Sequence, residues 1–275
     1  MKNYHIIMGN GNLGTALSNK IKEKTTPEDQ PSRIYHRSNT SDVIADSNYF
    51  QANGFQVTVW NTEGYGSVPE CQKNPREAFE VHVMRNLDLM HGLNQEINLI
   101  NFSTNYVDQE PKSEYAASKA CMESLTKNFP RKKVISIRVA NLYSKYFPLK
   151  SFQGKILKNA DKINALPWNK MIPTDCDWLA DKLCDIFFSD DKDRNEIWLN
   201  SCYNRIIQVA PNEMVDARKF GEMLLNKEIT ETVDESRPKF PTILNTWDFD
   251  DTWYEVWKNI EPEFMENYKK AISAL

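Results

Sequence analysis

The sequence has no C-x-x-C pair, few histidines and no basic excess, and each absence removes a class of function. Its five cysteines, Cys71, Cys121, Cys176, Cys184 and Cys202, are scattered and odd in number. That argues against a disulfide framework and for a reducing compartment. The four histidines, His5, His36, His82 and His91, show no metal-ligand spacing, so no metal site is expected. A formal net charge of −4 leaves no basic footprint for nucleic acid. No stretch approaches the ~18 apolar residues of a membrane helix. The apolar part of the first eight residues, Met-Lys-Asn-Tyr-His-Ile-Ile-Met, is too short for a signal peptide. The expectation is a cytoplasmic protein with neither nucleic acid nor membrane as partner.

What remains is an ordinary core-forming chain of 275 residues, 40% hydrophobic and 26% charged. Apolar runs and helical stripes alternate along it. Strands are predicted over Tyr4–Met8, Arg33–Arg37, Phe55–Trp60, Ile97–Phe102, Lys133–Val139 and Glu196–Asn200. Helices are predicted over Thr15–Lys24, Pro75–His91, Glu114–Asn128, Asp175–Phe188 and Asn212–Leu225. In Pro75–His91 the inward residues are read as Ala78, Phe79, Val83 and Leu87. A Pro-rich linker, Arg237–Pro241, leads to a tail with Trp247, Trp253 and Trp257, read as one or two helices with packing tryptophans. Alternating strands and helices imply an α/β fold: a Rossmann-type doubly wound parallel sheet with a smaller C-terminal substrate-binding region. The division expected is 1–145 for the dinucleotide-binding portion and 146–275 for the substrate side, within one integrated domain.

Three groups of residues carry chemistry. Gly9-Asn-Gly-Asn-Leu-Gly14 follows the first strand and opens the first helix, the context in which a Gly-x-Gly-x-x-Gly run binds a dinucleotide. Gly9 permits the turn, Gly11 lets backbone approach a pyrophosphate, and Gly14 allows close helix–sheet packing. Asn12 and Leu13 complete that loop. The second strand ends in Arg37-Ser38 where an NAD site has an acidic residue. A guanidinium fork and a hydroxyl suit a 2′-phosphate, so NADP(H) is favoured, with NAD(H) left open. Lastly, Ser103-Thr104 closes an apolar strand, and Tyr115 and Lys119 follow one helical turn apart. Tyr-x-x-x-Lys occurs in many helices by chance and gains weight here from its context. A lysine beside a phenol is expected to depress its titration and suit it to proton transfer.

In register, these pieces resemble the extended short-chain dehydrogenase/reductase superfamily, and within it the dTDP-4-dehydrorhamnose reductase family. The likeness rests on Ser103-Thr-Asn-Tyr-Val107, Tyr115-Ala-Ala-Ser-Lys119, the Glu70–His82 helix with Asn74-Pro75, Arg138-Val-Ala-Asn-Leu-Tyr143, Pro173-Thr174, and Arg237-Pro238 with Leu244. The resemblance implies that Tyr115 protonates a carbonyl oxygen as NADPH delivers hydride. It implies that Lys119 lowers the phenol's pKa and bonds the nicotinamide ribose, and that Thr104 orients the oxygen. Asn61 and Thr62 would line the cofactor loop, and Arg237 would contact a nucleotide diphosphate. Ser103 and Asn141 are further candidates on the substrate side. A homodimer is compatible with such a chain.

Four departures from the family pattern stand out. Only ten residues separate Thr104 from Tyr115, the first two glycines are closer together, Glu63 follows Asn61-Thr62, and His82 replaces an asparagine. Glu63 is expected to face solvent or substrate. Dehydratases of the superfamily carry Asp-Glu after the threonine, whereas this chain has Asn105-Tyr106. The leading expectation is NADPH-dependent reduction of a keto group, at C4, on a nucleotide-activated deoxysugar. A sugar-nucleotide epimerase with tightly held NAD and a non-catalytic nucleotide-binding subunit remain the alternatives.

Overall fold

The computed structural model describes residues 2–25, 33–35, 39–108, 112–130, 133–158, 170–187, 199–211, 214–226 and 253–274. β1 (Asn3–Met8) buries five consecutive residues after Asn3, the pattern of a strand covered on both faces. α1 (Asn12–Lys24) follows and buries Leu13, Ala16, Leu17 and Ile21 at helical spacing. β2 (Arg33–Tyr35), α2 (Thr40–Ala52) and β3 (Gln56–Asn61) come next. The helix α2 has no counterpart in the sequence-based reading. Only Val43 and Ser47 of it are fully buried, so no apolar stripe announces it.

After β3, a loop leads to α3 (Val68–Lys73), whose start is closed by a reciprocal Ser67/Glu70 capping box. The expected Pro75–His91 helix is present but broken in register. It comprises α4 (Pro75–Phe79), a π turn over Glu80–Met84, and α5 (Arg85–Gly92). A π turn inserts one extra residue, which rotates the face beyond it. Ala78 and Val83 are buried as expected, but Phe79 is exposed. Beyond the turn Asn86, Leu89 and Met90 point inward; Leu87 is half-buried.

β4 (Asn98–Thr104), α6 (Glu114–Asn128) and β5 (Val134–Val139) agree closely with expectation, and a 3-10 turn (Asn105–Asp108) follows β4. Then come β6 (Leu142–Tyr143), α7 (Phe152–Lys158), β7 (Lys170–Met171), β8 (Thr174–Asp175) and α8 (Cys176–Phe187). The late strand over Glu196–Asn200 is corrected. Leu199 and Asn200 are helical, and residues 196–198 lie outside the described ones. Leu199 and Cys202, three apart, enter the same core, which is helical spacing. The strand that completes the sheet is β9 (Arg205–Gln208). β10 (Val215–Asp216) pairs antiparallel with β7, and α9 (Ala217–Leu225) starts at the Asp216 cap, later than expected. The last element among the described residues is a helix, α10 (Trp253–Ser273), which continues through Pro262. Its Trp257 is buried against Tyr143 and Phe264; Trp247 lies outside the described residues.

The main sheet has the order β2-β1-β3-β4-β5-β9, every pair parallel. On one face α1 and α8 pack over Ile7, Trp60, Ile100 and Ile135. On the other, Val43 of α2 and Leu89 of α5 pack over Tyr4, Ile6, Val59 and Leu99. This is the doubly wound parallel α/β fold expected. The chain runs outward from β1 to β2, then crosses back to β3 on the other side. The crevice beyond the carboxyl ends of β1 and β3 is therefore the topological switch point, where such sheets bind ligands.

Candidate active site

The glycine loop occupies that crevice. Gly9 has φ +102°, a left-handed conformation that suits glycine. A Cβ on Gly14 would lie 2.2 Å from the Gly9 carbonyl oxygen, so the helix can start this close to the turn only with glycine there. A Cβ on Gly11 would meet nothing within 4 Å, so the backbone is open to a ligand. No side chain caps the α1 N-terminus and its first turn carries no acid. Unfilled amides and a positive helix end suit a pyrophosphate.

The other residues of the loop hold it in shape. Leu13 is buried in the core. Asn12 Oδ1 accepts from the Phe147 amide at 3.0 Å, tying the loop to the segment after β6. Thr62 donates its hydroxyl to the Met8 carbonyl at 2.9 Å and packs beneath the glycine turn. Asn61 is buried, donating to Asn86 at 3.1 Å and Asn101 at 3.2 Å. Both residues shape the crevice from below. Arg37 and Ser38 lie outside the described residues, as does Arg237.

At the end of β4 the sequence-predicted trio comes together. The Tyr115 phenol lies near the Thr104 hydroxyl, and burial pushes its titration well above the ordinary phenol range against a smaller opposing pull from Thr104. Lys119 is buried and donates from Nζ to the Phe102 carbonyl at 2.8 Å. Burial lowers its pKa to about 8, against the opposing pull of Cys71, Glu123 and Glu63. The expected depression of the Tyr115 phenol is thus corrected. The ammonium is directed at the strand carbonyl, and desolvation dominates at the phenol.

Ser103 stands apart from the trio. Its hydroxyl donates to Glu123 at 2.7 Å, and Arg138 grips the same carboxylate through Nε at 2.7 Å and a second nitrogen at 2.8 Å. Arg138 also reaches Asp108 at 2.7 Å. This fork-to-fork pair ties β4, α6 and β5 together beneath the site. Asn141, with φ +26°, reaches the site at one remove: its amide donates to the Tyr106 phenol at 3.3 Å. The Tyr106 ring meets the Tyr115 ring edge-on at 6.2 Å.

Glu63 does not face solvent; it is buried and paired with Arg85 at 2.7 Å. His82 is the residue whose part the sequence did not disclose beyond its departure from the family pattern. It is fully buried on the π turn and meets Tyr115 edge-on at 5.6 Å. Its Nε2 accepts from the Tyr65 amide at 3.0 Å, and its Nδ1 lies 2.8 Å from the Ser118 hydroxyl. Burial, then the Lys119 charge, push its pKa down to about 2. Cys71 donates to the Tyr65 carbonyl at 3.0 Å, a contact with no advance signal in the sequence. Among the described residues no group of three or more His, Cys, Asp or Glu could hold a metal ion, and no helix is long and apolar enough to cross a membrane.

Solved structures with this fold include three nucleotide-sugar enzymes. The chain is similar to a dTDP-4-dehydrorhamnose reductase from Bacillus anthracis, solved with NADP, at 18% identity and TM-score 0.68, covering 96% of this chain and 99% of that one. It is similar to a UDP-glucose 4-epimerase from Thermotoga maritima, solved with UDP-glucose, at 13% identity and TM-score 0.69, covering 98% and 99%. A dTDP-glucose 4,6-dehydratase from Streptomyces venezuelae, with NAD bound, aligns at 14% identity and TM-score 0.62 over 95% and 90%. At these identities the likeness is one of fold. No curated protein matches. Residues 7–170, more than half of the chain, match a family of dinucleotide-dependent enzymes, and together with the glycine-loop crevice and the Thr104–Tyr115–Lys119 cluster this shows that the chain belongs to the NAD dependent epimerase/dehydratase family.

Proposed function

We propose that the protein reduces a keto group, at C4, on a nucleotide-activated deoxysugar with NADPH. The observation that carries this reading is the Tyr115 phenol near the Thr104 hydroxyl, one helical turn from buried Lys119. The cluster stands at the carboxyl end of β4, next in the sheet to the strand bordering the switch-point crevice. The cradle fits a dinucleotide: Gly11 leaves the loop open to it and Gly14 keeps a side chain out. NADPH, when bound there, supplies the hydride.

The chain's own residues handle the proton. Burial keeps the Tyr115 phenol protonated, so it meets a substrate oxygen as an acid. Thr104 lies near that phenol and offers a second hydroxyl to the same oxygen. Lys119, with a value of about 8, is still charged at neutral pH. Its ammonium, held on the Phe102 carbonyl, would bond the nicotinamide ribose when the cofactor is bound. Elimination needs a further acid and base after the threonine. Here Asn105 and Tyr106 stand there, and neither side chain supplies that chemistry at neutral pH. Arg37 and Ser38 read the 2′-phosphate, and residues 146–275 form the sugar-nucleotide side.

The test is a panel of dTDP- and UDP-linked 4-keto-6-deoxyhexoses, with NADPH consumption as readout. Stoichiometric consumption with formation of the sugar alcohol is expected. Tightly co-purified NAD with no net turnover would instead favour epimerisation, and absence of any nucleotide binding would favour a binding subunit.

A further inference from the structure

The site contains a connection that the proton-transfer trio does not explain. The Tyr65 amide can only donate, so His82 Nε2 accepts and carries no proton. The ring proton therefore sits on Nδ1 and is donated to Ser118 Oγ, 2.8 Å away. The Ser118 hydroxyl is then free to donate to the Tyr115 carbonyl, as it does at 2.9 Å. The chain of donors runs from Tyr65 through His82 and Ser118 to the backbone of Tyr115. His82 also presses its ring edge-on against the Tyr115 ring, which meets Tyr106 edge-on as well. The far end is anchored as well, because Cys71 donates to the Tyr65 carbonyl. Tyr65 belongs to the loop that follows Asn61 and Thr62 at the cofactor crevice.

We propose that His82, as the Nδ1–H tautomer, is a positioning residue that holds the catalytic Tyr115 and the loop after β3 in one register. It touches Tyr115 at both ends, the backbone carbonyl through Ser118 and the ring directly. The π turn brings the side chain into this buried place. Such turns recur at functional sites. The charged group facing the ring is Lys119 of α6, which disfavours an imidazolium. His82 therefore relays no proton to substrate; it sets where the Tyr115 phenol stands.

This proposal rests on Tyr115 being the proton donor, and its experiment has one arm that needs no substrate. In the full-length protein with 15N-labelled histidine and 13C-ring-labelled tyrosine, the His82 resonances, assigned by their loss in His82→Gln, should show the Nδ1–H tautomer and no titration between pH 5 and 8. The Tyr115 ring resonances should shift alike in His82→Ala and Ser118→Ala. An Nε2–H tautomer, a midpoint near 6.5, or an unmoved Tyr115 ring would overturn the proposal. The kinetic arm uses whichever keto-sugar nucleotide is turned over. His82→Ala and Ser118→Ala should each lower kcat by about ten- to a hundredfold, the scale of a small misplacement, with NADPH KM within about twofold. The double variant should lose no more than the worse single one, and His82→Gln, which keeps a donor and an acceptor, should recover part of the loss. Multiplicative losses would contradict the connection. A wild-type protein that turns over no keto sugar would defeat the reductase reading while the spectra still decide the register.

Discussion

Tyr115 and Lys119 illustrate how a residue pair can be legible in sequence while its electrostatics are not. The spacing placed both on one face of α6, and the structure puts both at the end of β4 as expected. Which carbonyl the ammonium would choose depends on β4, seventeen residues away from it. Tyr115→Phe should leave NADPH affinity within about twofold while turnover falls by about 10²- to 10⁴-fold, the usual worth of a positioned acid. Fluorescence titration and steady-state rates check the two halves, and a fully active variant would remove the assignment. Arg37→Ala should weaken NADPH far more than NADH; equal losses would show that Arg37 does not read the 2′-phosphate. His82 adds a pH consequence. Its folded value, about 2, lies below the ordinary ~6.5, so the unfolded chain takes up a proton that the native state refuses. Stability is therefore intact above about pH 6.5 and falls as the pH drops below it. Between pH 6.5 and 5 this group alone should cost about 2 kcal/mol. Urea unfolding at the two pH values should show that part of the acid limb missing from His82→Gln.

At the scale of elements, local pattern succeeded where one face of a segment is apolar and failed where burial is sparse or the period shifts. β1, α1 and β5 carry continuous or striped apolar residues and were legible. α2 was not, because it buries little. The π turn was not, because nothing in Glu80–Met84 marks an inserted residue, yet it moves Phe79 outward and brings His82 in. The start of α8 shows a similar limit. Asp175 is buried and its Oδ1 caps the helix, accepting from the Asp177 amide at 2.8 Å and the Trp178 amide at 2.9 Å. Burial outweighs those bonds and raises its pKa to about 7. The native state thus holds a proton that the unfolded chain releases from about pH 4 upward. Stability falls as pH rises through that window and stays reduced above 7. Asp175→Asn keeps the capping oxygen and removes the charge. It should raise stability at pH 8 by about 1–3 kcal/mol and leave it nearly unchanged at pH 4. Equal gains at both pH values would show that the carboxyl does not titrate across that interval.

For the molecule as a whole, the alternation of strands and helices was enough to anticipate a doubly wound parallel sheet. It was not enough to find the sixth strand, because the short apolar run Ile197-Trp198-Leu199 reads equally as strand or helix. The cofactor crevice was legible because its glycines, strand and helix are contiguous in the chain. The supporting shell was not. Glu63 with Arg85, Ser103 with Glu123 and Arg138, and Tyr65 with His82 and Ser118 are tertiary pairings. They tie a loop, a strand and a helix together around Tyr115. The central claim, that hydride passes from NADPH to a sugar carbon while Tyr115 protonates the oxygen, is tested most directly with NADPH deuterated at C4 of its nicotinamide. The product nucleotide sugar, examined by mass spectrometry and NMR, should carry one deuterium at the carbon of the former keto group, with the label delivered from a single face. A product free of deuterium, or a sugar interconverted without consumption of the added NADPH, would contradict it.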